Sequence, residues 1–261
     1  MVKLSAIVAT RNEGKMLGPC LESLGFADEI IVVDMESSDD TLTVARKFNV
    51  TIINYPWKRF DYSGPRNKGF EKSQGEWILY IDADERVTPL LRKEIIRSIS
   101  LPAQAGNSEN QYSAYAIPRR NIIFNQEFKH VGQWPDYAKR LFKRGKFQKF
   151  EGAVHEEPVF DGVLGHLTNS MIHNKHENIS EMIEKTNQWS DIEARLMFEA
   201  KHPQMNIFRF ASAIVREFWL RMISQRAFLD GTKGMIYALY QAFSRYVSYS
   251  KLWELQIKDK K

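Results

Sequence analysis

A single cysteine, Cys20, stands among 261 residues. That excludes a disulfide framework or a cysteine-built zinc site within one chain, and it suits a reducing compartment. Long apolar runs are missing too: nowhere do the roughly 18 apolar residues needed for a membrane-spanning helix follow one another. The opening stretch, Val2 to Ala9, is apolar over too few residues for a signal peptide and meets Arg11 and Glu13 at once, so it is expected to be the first strand. Internal repeats and low-complexity segments are absent. The first 200 residues also lack a charge excess: they carry 26 basic and 28 acidic residues, a net of −2, whereas Lys201 to Lys261 hold 11 basic against 4 acidic, a net of +7. The overall +5 therefore belongs to the tail, which argues against a nucleic-acid-binding body. The remainder is that of an ordinary globular chain, 43% hydrophobic and 26% charged, long enough to bury a full core in one or two domains.

The hydrophobic pattern begins as a strand and helix alternation. Leu4 to Ala9, Glu29 to Val33, Val50 to Ile53 and Trp77 to Ile81 lack polar alternation and read as strands, the second and fourth buried on both faces. Helices are expected over Lys15 to Leu24, up to Phe48, over Pro65 to Ser73 and over Pro89 to Ser100, the last opened by Thr88 as cap and Pro89 at the first helical position. This is a Rossmann-like parallel start. Residues 101–110 are polar and expected to form a mobile surface loop. Tyr112 to Ile117, Asn121 to Phe128, Ala138 to Phe142 and Leu164 to His173 read as strands without long helices between them, so the second half of the sheet is expected to be mixed or antiparallel. Glu177 to Lys201 reads as helix, and so does the chain from Asn206 to about Leu255, broken at Asp230 to Gly234. The division expected is residues 1–175 as an α/β domain and 176–261 as a helical, basic and aromatic extension.

Chemistry-bearing residues gather where these strands end. Thr10, Arg11, Asn12 and Glu13 follow the first strand, Asp34 ends the second, Gly64 to Asn67 open a helix, and Asp82 and Asp84 follow the fourth. The carboxyl edge of an open α/β sheet is where ligands bind. Two carboxylates one residue apart can hold a divalent cation that carries phosphate oxygens. Taken singly, each residue has a plainer role as a helix cap, strand-end turn or ion-pair partner. Together they describe a pocket with hydrogen-bonding groups for a base and ribose, an arginine for phosphate and acidic metal ligands. Trp57 and Trp134 are candidates for stacking on a sugar ring, with core packing as the alternative.

The ordered set Ala9-Thr10-Arg11-Asn12-Glu13, Val32 to Thr41, Gly64-Pro65-Arg66-Asn67-Lys68-Gly69, Trp77 to Glu85, Pro135 to Phe142 and Val154-His155-Glu156 resembles the inverting glycosyltransferases of family two. It is most similar to the branch containing lipopolysaccharide-core β-glucosyltransferases, and Phe228-Leu229-Asp230-Gly231 extends the resemblance into the tail. The resemblance implies a GT-A fold, a Rossmann-like mixed sheet flanked by helices, here with a C-terminal helical extension. It implies a nucleotide-sugar donor, a UDP-sugar and by extension UDP-glucose, bound by Thr10, Arg11, Glu13, Asp34, Arg66 and Asp82. It places Asp84 on Mg²⁺ or Mn²⁺, with His155 as a candidate further metal ligand, as in some relatives, or else a structural histidine. An inverting transfer needs a base for the acceptor proton, and the resemblance makes Asp136, a few residues before Arg140, the candidate, with Glu156 in reserve. Pro135 stands where family members often have a second acidic residue.

Two readings of the tail stay open, an amphipathic surface for an anionic membrane or a helical hairpin packed on protein. The resemblance favours the first, since it implies a saccharide or glycolipid acceptor handled at the cytoplasmic face of the inner membrane. Two rival functions are a haloacid-dehalogenase-like phosphohydrolase, which wants Thr or Val where Arg86 stands, and a non-catalytic membrane-associated nucleotide-binding protein.

Overall fold

The computed structural model describes residues 2–58, 61–100, 112–152 and 156–259. His155 and the polar stretch 101–110 lie outside the described residues. By internal packing the chain forms two units, Met1–Arg119 with Asp136–His173, and Arg120–Pro135 with Asn174–Lys261.

The chain opens with β1 (Leu4–Thr10), α1 (Gly14–Ser23), β2 (Glu29–Asp34), α2 (Thr41–Ala45), β3 (Thr51–Asn54), α3 (Ser63–Lys72) and β4 (Trp77–Tyr80). Next come β5 (Glu85–Arg86), α4 (Pro89–Ser100), β6 (Tyr112–Ile123), β7 (Gln126–Glu127), β8 (Asp136–Lys143), β9 (Phe147–Glu151), β10 (Glu157–Phe160), β11 (Val163–His166) and β12 (Met171–His176). The sheet runs β3-β2-β1-β4-β8-β6-β12-β5. Its first four strands are parallel, β8 runs against both β4 and β6, and β12 runs against β5. The expected mixed sheet with flanking helices is thus present, parallel where strands and helices alternate and mainly antiparallel after α4, where only β11 runs parallel to its partner β6 among the described pairings.

Period-two side-chain placement explains the apolar runs. Leu4, Ala6 and Val8 of β1 join Leu79, Leu17, Leu91 and Ile95 in one core, while Ile7, Ile31, Ile78 and Tyr80 face a second core with Phe142, Phe147 and Phe150. Gly69 lets α3 approach this second face, since a Cβ there would lie 2.4 Å from Ile7 and 3.2 Å from Val33. Thr88 caps α4 as expected, its Oγ1 accepting the Leu91 N–H at 3.2 Å.

Three sequence expectations change. The strands expected at Tyr112 to Ile117 and Asn121 to Phe128 are instead the single strand β6, which turns at Phe124 and Asn125, both at positive φ (53° and 57°), into the short β7. Leu164 to His173 is split into β11 and β12, because Glu94 of α4 captures the backbone N–H groups of Thr168 and Asn169 at 2.9 and 2.8 Å and bends the chain there. The β9–β10 hairpin was not anticipated.

In the second unit α5 (Ile179–Glu199), α6 (Ile207–Phe218) and α7 (Gly231–Lys258) pack on one another, with a π-helical turn at Trp219–Ser224 and a 3₁₀ turn at Ala227–Asp230. Asn178 and Asn206 cap α5 and α6 by accepting the N–H groups of Glu181 and Arg209. The break in the tail falls before Asp230, and Gly231 opens α7 where the sequence suggested an interruption. Asp230 accepts the N–H groups of Lys129 and His130 at 3.2 and 2.8 Å. A bond between residues a hundred positions apart leaves no local signal. Among the described residues, no helix is long and apolar enough to cross a membrane.

Candidate active site

Thr10 and Asp34 end adjacent parallel strands and are register partners. They are 1% and 2% exposed, yet Thr10 Oγ1 and Asp34 Oδ1 have no hydrogen-bond partner among the described residues. The other Asp34 oxygen accepts the Ser37 N–H at 3.1 Å. The loops that follow are tied to each other: Asn12 (φ 55°) accepts the Ser38 N–H at 2.8 Å, and the N–H groups of Asn12, Glu13 and Gly14 bind Ser37, Thr41 and Asp39. Ser37 to Thr41 therefore fix the first loop as well as opening α2. A buried polar atom without a partner costs about 1–3 kcal/mol, so two side by side at a sheet edge mark a place for a hydrogen-bonding ligand.

Thr10→Val tests this directly. It keeps the shape and removes the orphan hydroxyl, so stability should be unchanged or rise by about 1 kcal/mol while nucleotide affinity falls roughly tenfold. Thermal melting and calorimetric titration read the two effects separately; a destabilised variant with unchanged affinity would mean the hydroxyl serves the fold.

The acidic stretch after β4 forms the centre of an ion-pair chain. Asp82 accepts from Arg66 at 2.7 Å on one oxygen and from Arg140 on the other. Arg140 continues to Glu85 at 2.6 Å, Arg119 reaches Glu85 at 3.5 Å and Asp136 at 2.9 Å, and Arg66 also meets Glu156 at 3.2 Å. Carboxylates and guanidiniums thus alternate from Glu156 to Asp136. Glu85, 0% exposed, is the hub, and also accepts the Asp82 N–H at 3.0 Å. Burial works to raise the Asp82 pKa, but Arg140, Arg66 and His173 outweigh it and hold this carboxyl far below the usual range. Burial works to lower the Arg140 pKa, but Asp82 and Glu85 outweigh it and raise it.

These contacts refine the expected roles. Both Asp82 oxygens are engaged by arginines, so Asp82 is tied into the ion-pair chain rather than left open to a ligand. Arg66 is held between two carboxylates. Asn67 clamps β9 to α3 through reciprocal hydrogen bonds with the Phe150 backbone at 3.0 and 2.7 Å. Arg11 is exposed and lies 4.2 Å from the centre of the Trp57 ring, so one face of that tryptophan is already covered. Glu13 sits among the loop ties and contributes to the charge around Arg86. Asp136 opens β8, and Glu156 immediately precedes β10. Trp134 belongs to the second unit and is 44% exposed.

His173 was missed from sequence. It lies on β12 opposite Glu85 of β5, with Nε2 3.5 Å from Asp84 Oδ2. It sits in a largely polar strand, Met171-Ile172-His173-Asn174-Lys175-His176, where nothing local sets it apart, and its partner lies far away in the chain. Among the described residues no group of three or more His, Cys, Asp or Glu side chains is gathered for a metal. Asp84 with His173 is a two-donor set, which fits a divalent ion whose other positions go to phosphate oxygens and water.

The glycosyl transferase family 2 model matches residues 5–160, and the chain belongs to that family. It is a glycosyltransferase. It is 27% identical to an uncharacterized glycosyltransferase of Rickettsia conorii, over 99% of this chain and 92% of that one. It is 26% identical to the lipopolysaccharide core biosynthesis glycosyltransferase LpsC of Rhizobium meliloti, over 96% of this chain and 92% of that one. Among solved structures it is similar to S. aureus TarS in complex with UDP-GlcNAc, at a TM-score of 0.44 and 14% identity over 98% of this chain and 92% of that one. The matched span holds Thr10, Asp34, Arg66, Asp82, Asp84, Asp136 and Glu156; His173 lies beyond it.

Proposed function

We propose that this enzyme transfers a hexose, with inversion, from a UDP-sugar onto a hydroxyl of a saccharide or glycolipid in cell-envelope glycan synthesis. The observation that carries this reading is the pair of buried, unpartnered oxygens of Thr10 and Asp34 at the carboxyl edge of the sheet, beside the Asp82 network. They receive the base, while Arg66, steadied by Asp82 and Glu156, faces the ribose and diphosphate side. Glu13 keeps the first loop in place, and Arg11 with Trp57 forms an outer lip. Asp84 and His173 hold Mg²⁺ or Mn²⁺, which bound there stabilises the negative charge of the departing diphosphate. Asp136 takes the acceptor proton. Kinship with a lipopolysaccharide core enzyme supports an envelope saccharide as acceptor, worked at the cytoplasmic face of the inner membrane; UDP-glucose is the donor the sequence resemblance implies. The phosphohydrolase reading loses its ground, because its nucleophile, Asp82, has both oxygens paired with arginines.

A panel of nucleotide sugars with Mn²⁺, read as nucleoside diphosphate release, tests the proposal. UDP-sugars should be turned over and chelation should stop release. Asp84→Ala should weaken UDP binding in Mn²⁺ by on the order of 100-fold or more and leave uridine binding nearly unchanged. Equal loss for uridine and UDP would remove the metal role from Asp84, and failure of every nucleoside diphosphate to bind would return the chain to the non-catalytic reading.

A further inference from the structure

The second unit carries a basic cavity that the transferase site does not use. It measures about 110 Å³ and is lined by Arg209, Ser212 and Arg216 of α6, His202 and Met205 of the preceding loop and Tyr249 of α7. Arg209, Ser212 and Arg216 follow one another along one line of the helix. Among the described residues neither guanidinium has an ion-pair partner, in contrast to Arg221 and Arg245, which both meet the buried Glu217. The loop side of the cavity is built: Gln256 donates to the His202 carbonyl at 2.9 Å and accepts the Met205 N–H at 2.8 Å. His202 Nδ1 bonds the Pro203 carbonyl at 2.8 Å, and the His202 ring lies 5.6 Å from that of Tyr249.

Beside this line α6 is apolar and exposed. Phe208 is 81% exposed, Val215 64% and Trp219 62%. The face that α6 packs inward holds Ala213, Glu217 and the half-buried Phe210, whose ring meets Tyr246. A broad exposed aromatic and aliphatic face beside an exposed arginine line is more apolar surface than this helix uses for its own core.

We infer that this face of α6 docks on an anionic phospholipid surface, with a headgroup phosphate seated between Arg209 and Arg216 and with Phe208, Val215 and Trp219 in the acyl boundary. Paired guanidiniums suit phosphate oxygens, and an aromatic arc flanked by arginine suits the headgroup layer. Charge favours an anionic surface over a second copy of the chain, since a two-fold contact through this face would bring two unpaired arginine pairs together.

Flotation of the full chain with vesicles tests the inference. Binding is expected to phosphatidylglycerol-containing vesicles and not to pure phosphatidylcholine, and to fall as salt rises. Arg209→Gln with Arg216→Gln should lose roughly 30-fold in binding. Lys47→Gln with Lys72→Gln removes the same charge from the first unit and should lose little. Phe208→Ser with Trp219→Ser should also weaken binding. All three double variants should keep their melting temperature and their rate on a soluble acceptor, so the outcome is independent of the transferase reading. Equal binding to both vesicle types, or an undiminished Arg209/Arg216 variant, would overturn the inference. So would tight binding of inorganic phosphate without vesicle binding, or a dimer dispersed by the Phe208/Trp219 changes in a chain that ignores vesicles.

Discussion

Asp136→Asn is expected to lower kcat by about 10²–10⁴-fold, the usual contribution of a positioned general base, and to leave the Kd for the nucleotide sugar nearly intact. The substitution keeps size and removes only the charge and basicity. Asp136 stands at the start of β8, its side chain 23% exposed, where Arg119 holds one oxygen at 2.9 Å. Through Arg119, Glu85 and Arg140 it is linked to Asp82, so the proposed base and the proposed diphosphate end share one set of ion pairs. Glu156 sits at the other end and touches Arg66, which suits a residue that steadies the donor side. Single-turnover kinetics beside equilibrium donor binding separates the two effects. Turnover equal to the parent would move the base to Glu156.

What the sequence disclosed and what it hid divide along a physical line. The strands β1, β2 and β4, the cap at Thr88 and the acidic pair after β4 were legible because each depends on residues within a few positions. Thr10, Asp34, Asp82 and Asp84 could be placed at one edge because parallel strands end together. The roles of Glu85, Arg119 and Arg140 were not legible, since an ion pair gives no sign in either partner's neighbourhood. His173 was hidden for the same reason: only the antiparallel pairing of β12 with β5 brings it to Asp84. The split at Leu167 to Ser170 required the Glu94 carboxylate, which arrives from α4.

Arg140→Met is expected to destabilise the fold by about 3–5 kcal/mol at neutral pH, as breaking a buried pair by removing one partner does. The Arg140 side chain is 7% exposed and that of Glu85 is 0% exposed, and the substitution would leave Glu85 and Asp82 facing each other without the cation between them. The loss should depend on pH in one direction. Against its burial, the Asp82 carboxyl is held well below the usual carboxylate range chiefly by Arg140, so the stability this gives is fully present above that usual range and is lost as pH falls toward the depressed folded-state pKa. The gap between parent and variant should therefore narrow in acid. Chemical denaturation at pH 7 and again below pH ~4 reads the slope. Adding Glu85→Gln to Arg140→Met removes one of the stranded charges and should recover part of the loss, a non-additivity expected of groups in one network. A constant gap across that range, with the two substitutions simply adding, would falsify the ion-pair chain as the element that holds the catalytic edge together.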